Sequence, residues 1–454
     1  MNIFRDRRGI AMTAAEPQSV DTFESALRQL QSYRGDAIAT IDTALAQDPG
    51  FVSGHIFRAE VCITMWERAF KAEAEKSLHE LETLTGMAND RERAHIAAIS
   101  DWMRGDWEGM RHRFDRILDD HPTDALALQI GHIADFYHGD RDNLRGRVAR
   151  AFPFWSSEMP GYGFVHGMLS FGLEECGDYR RAEEVGRRAI ELEPDDCWAQ
   201  HAVTHVMEME SRQEEGIEWM QSRRDHWAQD DNAFAYHNWW HTALYHLDLG
   251  RIDRVLEIYD ASVRPGEMKV QLQMLDSAAL LWRLHLQDRD TGDRWAEVAD
   301  AYETIADEGF YVFNDMHAMM SYAATGRSAA AQRLLQAVDA ASSADGTNAL
   351  MSASVGRNIV RAIDAFGRES YGETVDLLLP IRYRAHVFGG SHAQRDIIHR
   401  TLIESAFRSG RYSLARSLTV ERTALKPHCP FSLSLQRRAE ESLSIRALTE
   451  ARTP

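Results

Sequence analysis

Two histidine pairs lie one repeat apart near the middle of the chain. His201 and His205 are four residues apart, and so are His237 and His241, which follow 36 residues later. Side chains four residues apart lie on the same face of an α-helix. Paired imidazoles at this spacing are a known way to hold zinc or a similar divalent ion. If the two helices lie side by side, we expect the pairs to form one metal site.

A carboxylate accompanies the first pair, because Glu208 follows His205 by three residues. Such a group could complete the ligand shell or act as a general base on a metal-bound water. However, duplication of a repeat would produce the same histidine spacing without any chemistry. The pairs also lack the glutamate of the zinc-protease motif at its usual place. The spacing therefore leaves both a metal site and a structural role open.

Two later segments carry further polar side chains. The segment FNDMHAMMSYAATG contains Asp315 and His317, and GGSHAQRD contains His392, Arg395 and Asp396. The glycine pair before a dense polar run predicts a loop that enters a helix N-terminus, where an anion can bind. So many polar groups would be costly to bury without a role. We predict that Arg395 orients an anionic substrate and that the catalytic set consists of Glu208, Asp315, His317, His392, Arg395 and Asp396.

Other candidates for chemistry are weaker. We expect the isolated histidines, His132, His138, His246 and His399, to serve in packing or capping. The four cysteines are far apart and show no CxxC spacing, which argues against a disulfide framework or a zinc ribbon. The sequence shows no nucleophile elbow, phosphate-binding glycine loop or dinucleotide fingerprint.

Helical repeats must position these residues. Residues 177–196, GDYRRAEEVGRRAIELEPDD, begin with a turn glycine, place Ala182, Gly186 and Ala189 at helical spacing, and end near Pro194. This is the pattern of the second helix of a tetratricopeptide repeat (TPR), and residues 105–122 follow it with the same distance of 17 between glycine and proline. The pattern predicts an all-α, TPR-like helical-repeat solenoid, a right-handed superhelix of antiparallel helix pairs.

The histidine pairs precede turn glycines and therefore fall on first helices, which line the concave face of such an array. We expect residues 21–454 to form a single solenoid after a flexible N-terminal extension over residues 1–20. No segment shows a convincing strand pattern.

Composition limits the partners of the chain. The formal net charge of the 454 residues is −19, and an acidic surface repels phosphate backbones, so we do not expect nucleic acid as a partner. No stretch resembles a secretory signal or a membrane-spanning segment, which predicts a cytoplasmic protein without membrane attachment. The oligomeric state stays open.

Four runs carry a family resemblance: HAVTHVMEMESRQEEGIEWM, HNWWHTALYHLDLGR, NDMHAMM and GGSHAQRD. In these runs the chain resembles the tetratricopeptide-repeat protein 38 family, over residues 25–440. The resemblance implies an all-helical repeat fold in a soluble protein of a kind found in bacteria and animals. It implies no particular reaction.

Two functions from different classes fit these observations. The first is a histidine-rich concave pocket that binds a small ligand, with zinc or another divalent metal as the cofactor and metal-dependent hydrolysis as the candidate reaction. The second is a TPR scaffold that binds a peptide or protein in its concave groove. The groove-facing motifs contain His, Trp and Asp rather than the Asn, Lys and Arg of a peptide carboxylate clamp, which favours the first.

Overall fold

The computed structural model of the protein describes residues 2–264, 266–305 and 308–450. Consecutive α-helices, most of them in antiparallel pairs, make up nearly all of this part of the chain. The protein is thus an all-α, TPR-like helical-repeat solenoid, as the sequence predicts.

A short β-hairpin precedes the first helix, and its strands are β1 (Asn2–Arg5) and β2 (Ala11–Ala14). The helices up to the first histidine pair are α1 Pro17–Ser32, α2 Ala37–Gln47, α3 Val52–Ile63, α4 Arg68–Leu84, α5 Asp90–Met103, α6 Trp107–Asp120, α7 Ala125–Tyr137, α8 Arg141–Ala151, α9 Tyr162–Glu175, α10 Tyr179–Leu192 and α11 Cys197–Met209.

The helices that follow are α12 Gln213–Ser222, α13 Arg224–Trp227, α14 Ala235–Asp248, α15 Ile252–Ile258, α16 Gln271–His285, α17 Arg294–Ile305, α18 Val312–Thr325, α19 Ser328–Ala341, α20 Thr347–Met351, α21 Arg357–Gly367, α22 Tyr371–Leu378, α23 His392–Arg408, α24 Tyr412–Leu425 and α25 Pro430–Glu450. Short 3₁₀ turns cover Phe152–Phe154 and Ala385–Phe388, and π-helical turns cover Tyr259–Val263 and Ser352–Gly356.

Small residues set the distances between paired helices. Gly186 on α10 packs closely on α9, since a Cβ at this position would lie 2.6 Å from Ser170 Oγ. The turn before α10 is made by Gly177, whose φ of +80° is open to glycine without strain. Both predicted second helices, α6 and α10, are confirmed.

The contacts divide the chain into two compact units. Unit 1 comprises the residues up to Val203, then Asp225–Ala235 and Ser343–Leu350. Unit 2 comprises Thr204–Arg224, Tyr236–Ser342 and the residues from Met351 onwards. This division differs from the single array that the sequence predicts, because short segments from later in the chain return to complete unit 1.

In unit 1, the hairpin lies within the stretch that the sequence predicts to be a flexible extension. Met12 and Ala14 are buried, and the backbone N–H of Thr13 donates to Glu92 Oε1 at 2.8 Å. Glu92 belongs to the first turn of α5, so the hairpin is bonded to a helix start 79 residues later in the chain. The strands have only four residues each, too few for an alternating pattern to be recognised in the sequence.

In unit 2, α16 lies at the centre and contacts α17, α18 and α23. The indole Nε1 of Trp282 on α16 donates to Thr401 Oγ1 on α23 at 3.0 Å. These inner helices therefore pack directly on one another. Among the described helices of the chain, none is long and apolar enough to cross a membrane.

Candidate functional site

Three buried histidines of unit 2 meet between α11 and α14, and we call them the imidazole cluster: His205, His237 and His241. The ring centroids of His205 and His241 are 4.5 Å apart, and those of His237 and His241 are 4.9 Å apart. Each histidine offers a ring nitrogen that lies within 4.8 Å of the nitrogens offered by the other two. The structure thus brings His205 together with the later pair, and that the two pairs bind a metal ion stays a prediction.

A buried carboxylate orients one member of the imidazole cluster. His237 Nδ1 lies 2.7 Å from Oδ2 of Asp276, which is fully buried on α16. When Nδ1 donates to this carboxylate, Nε2 carries the lone pair that a metal ion requires. A carboxylate behind a histidine is the usual second layer of a zinc site. Sequence reasoning missed Asp276, although an acidic residue in the apolar run LDSAALLWRL is a signal that could have found it.

Glu208 contacts both an imidazole and a cation. Its Oε2 lies 3.3 Å from His241 Nδ1, and its Oε1 accepts from Lys426 Nζ at 2.9 Å. Burial raises the pKa of Glu208, but the charges of Lys426 and His205 outweigh burial and leave the pKa below its ordinary value. Glu208 is therefore a carboxylate at neutral pH.

Burial and the neighbouring side chains act in the same direction on the pKa of His241. Burial is the main reason that the pKa of His241 lies well below its ordinary value, and His205 and His237 lower it further. The ring is consequently neutral at pH 7, which is the form that binds metals.

An aromatic ring separates the imidazole cluster from a buried arginine. The ring of Trp240 is fully buried, with its centroid 4.8 Å from that of His241. The guanidinium carbon of Arg283 lies 5.1 Å from the Trp240 centroid, within the range of a cation–π contact. The sequence analysis did not identify Arg283.

His201, the fourth predicted metal ligand, lies one turn before His205 on α11 and belongs to unit 1. Within unit 1, its ring centroid lies 5.2 Å from those of Phe171, Trp198 and Phe234. That His201 contributes a fourth imidazole to the metal site stays a prediction.

The residues predicted on α18 are buried at its N-terminal end. Asp315 Oδ1 accepts from the backbone N–H of Gly309 at 3.0 Å, which satisfies a donor beside the helix start. His317 Nδ1 lies 2.9 Å from the carbonyl oxygen of Phe313, one turn earlier. Burial lowers the pKa of His317 to about 4, so this ring is neutral.

The glycine pair at residues 389–390 leads into α23, as the sequence predicts. Ser391 and Gln394 cap this helix reciprocally: the Gln394 N–H donates to Ser391 Oγ at 3.3 Å, and the Ser391 N–H donates to Gln394 Oε1 at 3.0 Å. Arg395 donates to the carbonyl of Gly390, and its Nη2 lies 3.5 Å from His392 Nδ1. These bonds show that the polar run caps the N-terminus of α23. That His392 and Arg395 also act in catalysis stays a prediction.

Asp396 belongs to an ionic cluster. Its Oδ2 accepts from Arg400 Nε at 2.6 Å and from Arg422 Nη2 at 3.0 Å, and Arg400 Nη2 also donates to Asp248 Oδ1 at 2.8 Å. Burial raises the pKa of Asp396, but Arg422 and Arg400 outweigh this effect and hold it well below its ordinary value. Asp396 therefore acts as a structural anion, and a catalytic role for it stays a prediction.

No known protein-family model matches the chain. Solved structures with a similar fold include the Cut9–Hcn1 hetero-tetramer of the APC/C, at 11% identity and a TM-score of 0.40, where the match covers 81% of this chain and 59% of that chain. Human IFIT1, solved as a dimer with m7Gppp-AAAA, matches at 12% identity over 93% of this chain and 94% of its own, with a TM-score of 0.42. Yeast Tom70 matches at 12% identity over 90% and 85%, with a TM-score of 0.35. At these values the likenesses carry no argument about function.

Proposed function

We propose that unit 2 binds a divalent metal ion, with zinc the best fit, through His205, His237 and His241. The observation that supports this is the burial of three imidazoles with ring nitrogens within 4.8 Å of one another. Nitrogens bound tetrahedrally to one zinc ion at about 2.0–2.1 Å lie about 3.3 Å apart. The rings would therefore have to move closer together to bind the ion. The carboxylate of Asp276 behind His237 holds one ring in the required tautomer.

The fourth ligand position determines what the ion would do. A fourth protein ligand would close the shell and make the ion structural. A water in that position would instead place an activated nucleophile beside Glu208, a carboxylate able to act as a general base. A metal-bound water beside Glu208 would suit a metal-dependent hydrolase that acts on a small molecule. We also propose, from the four runs quoted above, that the chain belongs to the tetratricopeptide-repeat protein 38 family. This membership does not indicate a particular reaction.

A scaffold that binds a peptide or protein is the second candidate. The observation that favours it is the helical-repeat fold itself, because such arrays expose extended surfaces to partners. In unit 2, however, α16 packs directly on α18 and α23. This packing disfavours an extended peptide between these helices, so a partner would contact other surfaces of the array.

Elemental analysis of untagged protein, purified without chelators or metal-affinity resin, tests the metal site. We expect about one divalent ion per chain, because three or four protein ligands bind one zinc ion. His205→Ala and His241→Ala should lose the ion and keep their helical circular dichroism. His246→Ala is the matched control, because His246 lies on α14 outside the imidazole cluster, and it should retain the ion.

Protein that contains no ion, and takes up none from added zinc, would overturn the metal proposal. The scaffold would then be the leading candidate.

A further inference from the structure

Unit 2 contains a second feature, a cavity of about 250 Å³ bounded by α16, α23 and α25. Arg283 and Arg400 line its buried side, and Arg289, Arg438 and the carboxylates of Asp288 and Glu404 also border it. Phe431 lies against this wall, with the Arg400 guanidinium carbon 4.2 Å from its ring centroid. The cavity thus combines several guanidinium groups with an aromatic surface.

Arg283 has no carboxylate partner among the described residues. Its Nη1 donates to the carbonyl of Ala279 at 2.8 Å, and its Nη2 donates to the carbonyl of Ala393 at 2.6 Å. Its Nε has no hydrogen-bond partner in the described part of the chain, and the same holds for Arg400 Nη1. A buried guanidinium satisfied only by neutral carbonyls retains an uncompensated positive charge.

The buried ionic cluster beside the cavity cannot neutralise this charge. Each of its carboxylates already bonds to another cation: Asp248 to Arg400, Asp396 to Arg400 and Arg422, and Glu208 to Lys426. The two carboxylates that border the cavity also bond to other arginines: Asp288 to Arg408, and Glu404 to Arg408 and Arg438. Burial, with the charge of Arg400, lowers the pKa of Arg283 to about 10, so the side chain stays cationic at pH 7. Among the described residues, the guanidinium of Arg283 is therefore left without a bonded carboxylate at the wall of the cavity.

We propose that this cavity binds a small organic monocarboxylate that carries an apolar group. A carboxylate matches the planar guanidinium of Arg283 through paired hydrogen bonds. Its negative charge would compensate the guanidinium of Arg283. The apolar part of the ligand would pack on Phe431 and on the aliphatic lining of Leu286 and Ile403. A phosphate would bring a larger negative charge next to Asp288 and Glu404 and would leave the apolar wall without a partner.

This inference goes beyond the proposed metal site and stands without it. The cavity and the imidazole cluster are separated by Trp240, which contacts Arg283 on one side and His241 on the other. Ligand binding can therefore be measured on protein treated with a chelator, so that failure of one proposal is distinguished from failure of the other.

Calorimetric titration of the full chain in EDTA with benzoate tests the proposal. We expect benzoate to bind and to raise the unfolding temperature. Benzamide, the neutral analogue of similar shape, should bind at least about tenfold more weakly, because it lacks the charge that Arg283 requires. Equal binding of benzamide, tighter binding of inorganic phosphate, or no binding of benzoate at millimolar concentrations would each overturn the proposal.

Variants locate the site. Arg283→Met should lose benzoate binding, whereas Arg283→Lys should keep part of it. The matched control is Arg333→Met, which removes an exposed arginine of unit 2 outside the cavity and should leave binding unchanged. Leu286→Trp, which fills the cavity without touching the charges, should also abolish binding. Retention of full affinity in either Arg283→Met or Leu286→Trp would show that benzoate binds elsewhere and would overturn the assignment.

Discussion

At the scale of single residues, burial and neighbouring carboxylates give two buried histidines of this protein different charge states. His95 is buried in unit 1. Its Nδ1 lies 2.6 Å from Glu60 Oε1, and its Nε2 lies 3.1 Å from Asp124 Oδ2. Burial lowers the pKa of His95, but the two carboxylates outweigh burial and raise it to about 9. His95 is therefore an imidazolium at neutral pH. His317, equally buried but bonded to a backbone carbonyl, is neutral.

Loss of the charge of His95 should make unit 1 less stable at high pH. Its folded pKa of about 9 lies above the ordinary value of 6.5. The stabilisation is therefore present in full below pH 6.5 and is lost as the pH rises through 9, an effect of about 3 kcal/mol. Urea unfolding between pH 6 and 9.5 measures this loss.

The matching variant for this measurement is His95→Gln, which keeps a polar side chain but cannot become charged. It should lower the free energy of unfolding by about 3–5 kcal/mol at pH 6, because Glu60 and Asp124 lose a buried partner. It should also show a smaller decline towards pH 9.5. Identical pH slopes for the two proteins would show that His95 is not charged in the folded state.

At the scale of helices, one glycine sets the distance between α12 and α14. A Cβ on Gly216 would lie 2.2 Å from the ring of Tyr245, so only glycine allows this approach. The hydroxyl of Tyr245 donates to the carbonyl of Thr204 at 2.7 Å and thereby ties α14 to α11. These two helices carry His205 and His241. The small residue on α12 therefore supports the geometry of the imidazole cluster.

We expect Gly216→Ala to destabilise the protein by about 1–3 kcal/mol, because overpacking forces Tyr245 to move. If the metal proposal holds, the variant should also retain zinc less well. The control is Gly372→Ala on α22, where the added Cβ meets only the end of the Arg411 side chain at 3.6 Å. This control should be neutral or stabilising by up to about 1 kcal/mol. Thermal unfolding of both variants measures the difference. Equal unfolding temperatures for Gly216→Ala and the control would contradict the packing argument.

At the scale of the whole molecule, the two units are interleaved in sequence. Unit 1 takes its last two segments, Asp225–Ala235 and Ser343–Leu350, from the later part of the chain. The backbone of Ala233 donates to the carbonyl of Tyr33 at 2.8 Å, and Thr347 donates to the carbonyl of Gly105 at 2.9 Å. The units are therefore compact bodies that no single cut of the chain would separate.

A fragment comprising residues 1–203 should consequently be less stable than one comprising residues 1–235. The longer fragment restores the Ala233 bond and the ring of Phe234, whose centroid lies 5.0 Å from that of Tyr33. Thermal unfolding followed by circular dichroism compares the two fragments. Equal unfolding temperatures would mean that residues 225–235 add nothing to unit 1.

What the sequence determined by itself is local. Turn glycines and small residues at helical spacing predicted α6, α10 and the repeat fold, because these signals act within one or two neighbouring helices. The histidine spacing placed His201 with His205, and His237 with His241, on one face of each helix, and that the two pairs form a metal site stays a prediction.

The tertiary structure alone decided which distant groups meet these residues. Asp276 reaches His237 across 39 positions of the chain, and Ala393 reaches Arg283 across 110. The hairpin of residues 2–14 bonds to α5 through contacts equally remote in sequence. Such contacts depend on the packing angles between helices. Small differences in side-chain volume change these angles, and the changes add up along an array. A pattern read within one repeat therefore carries no information about them.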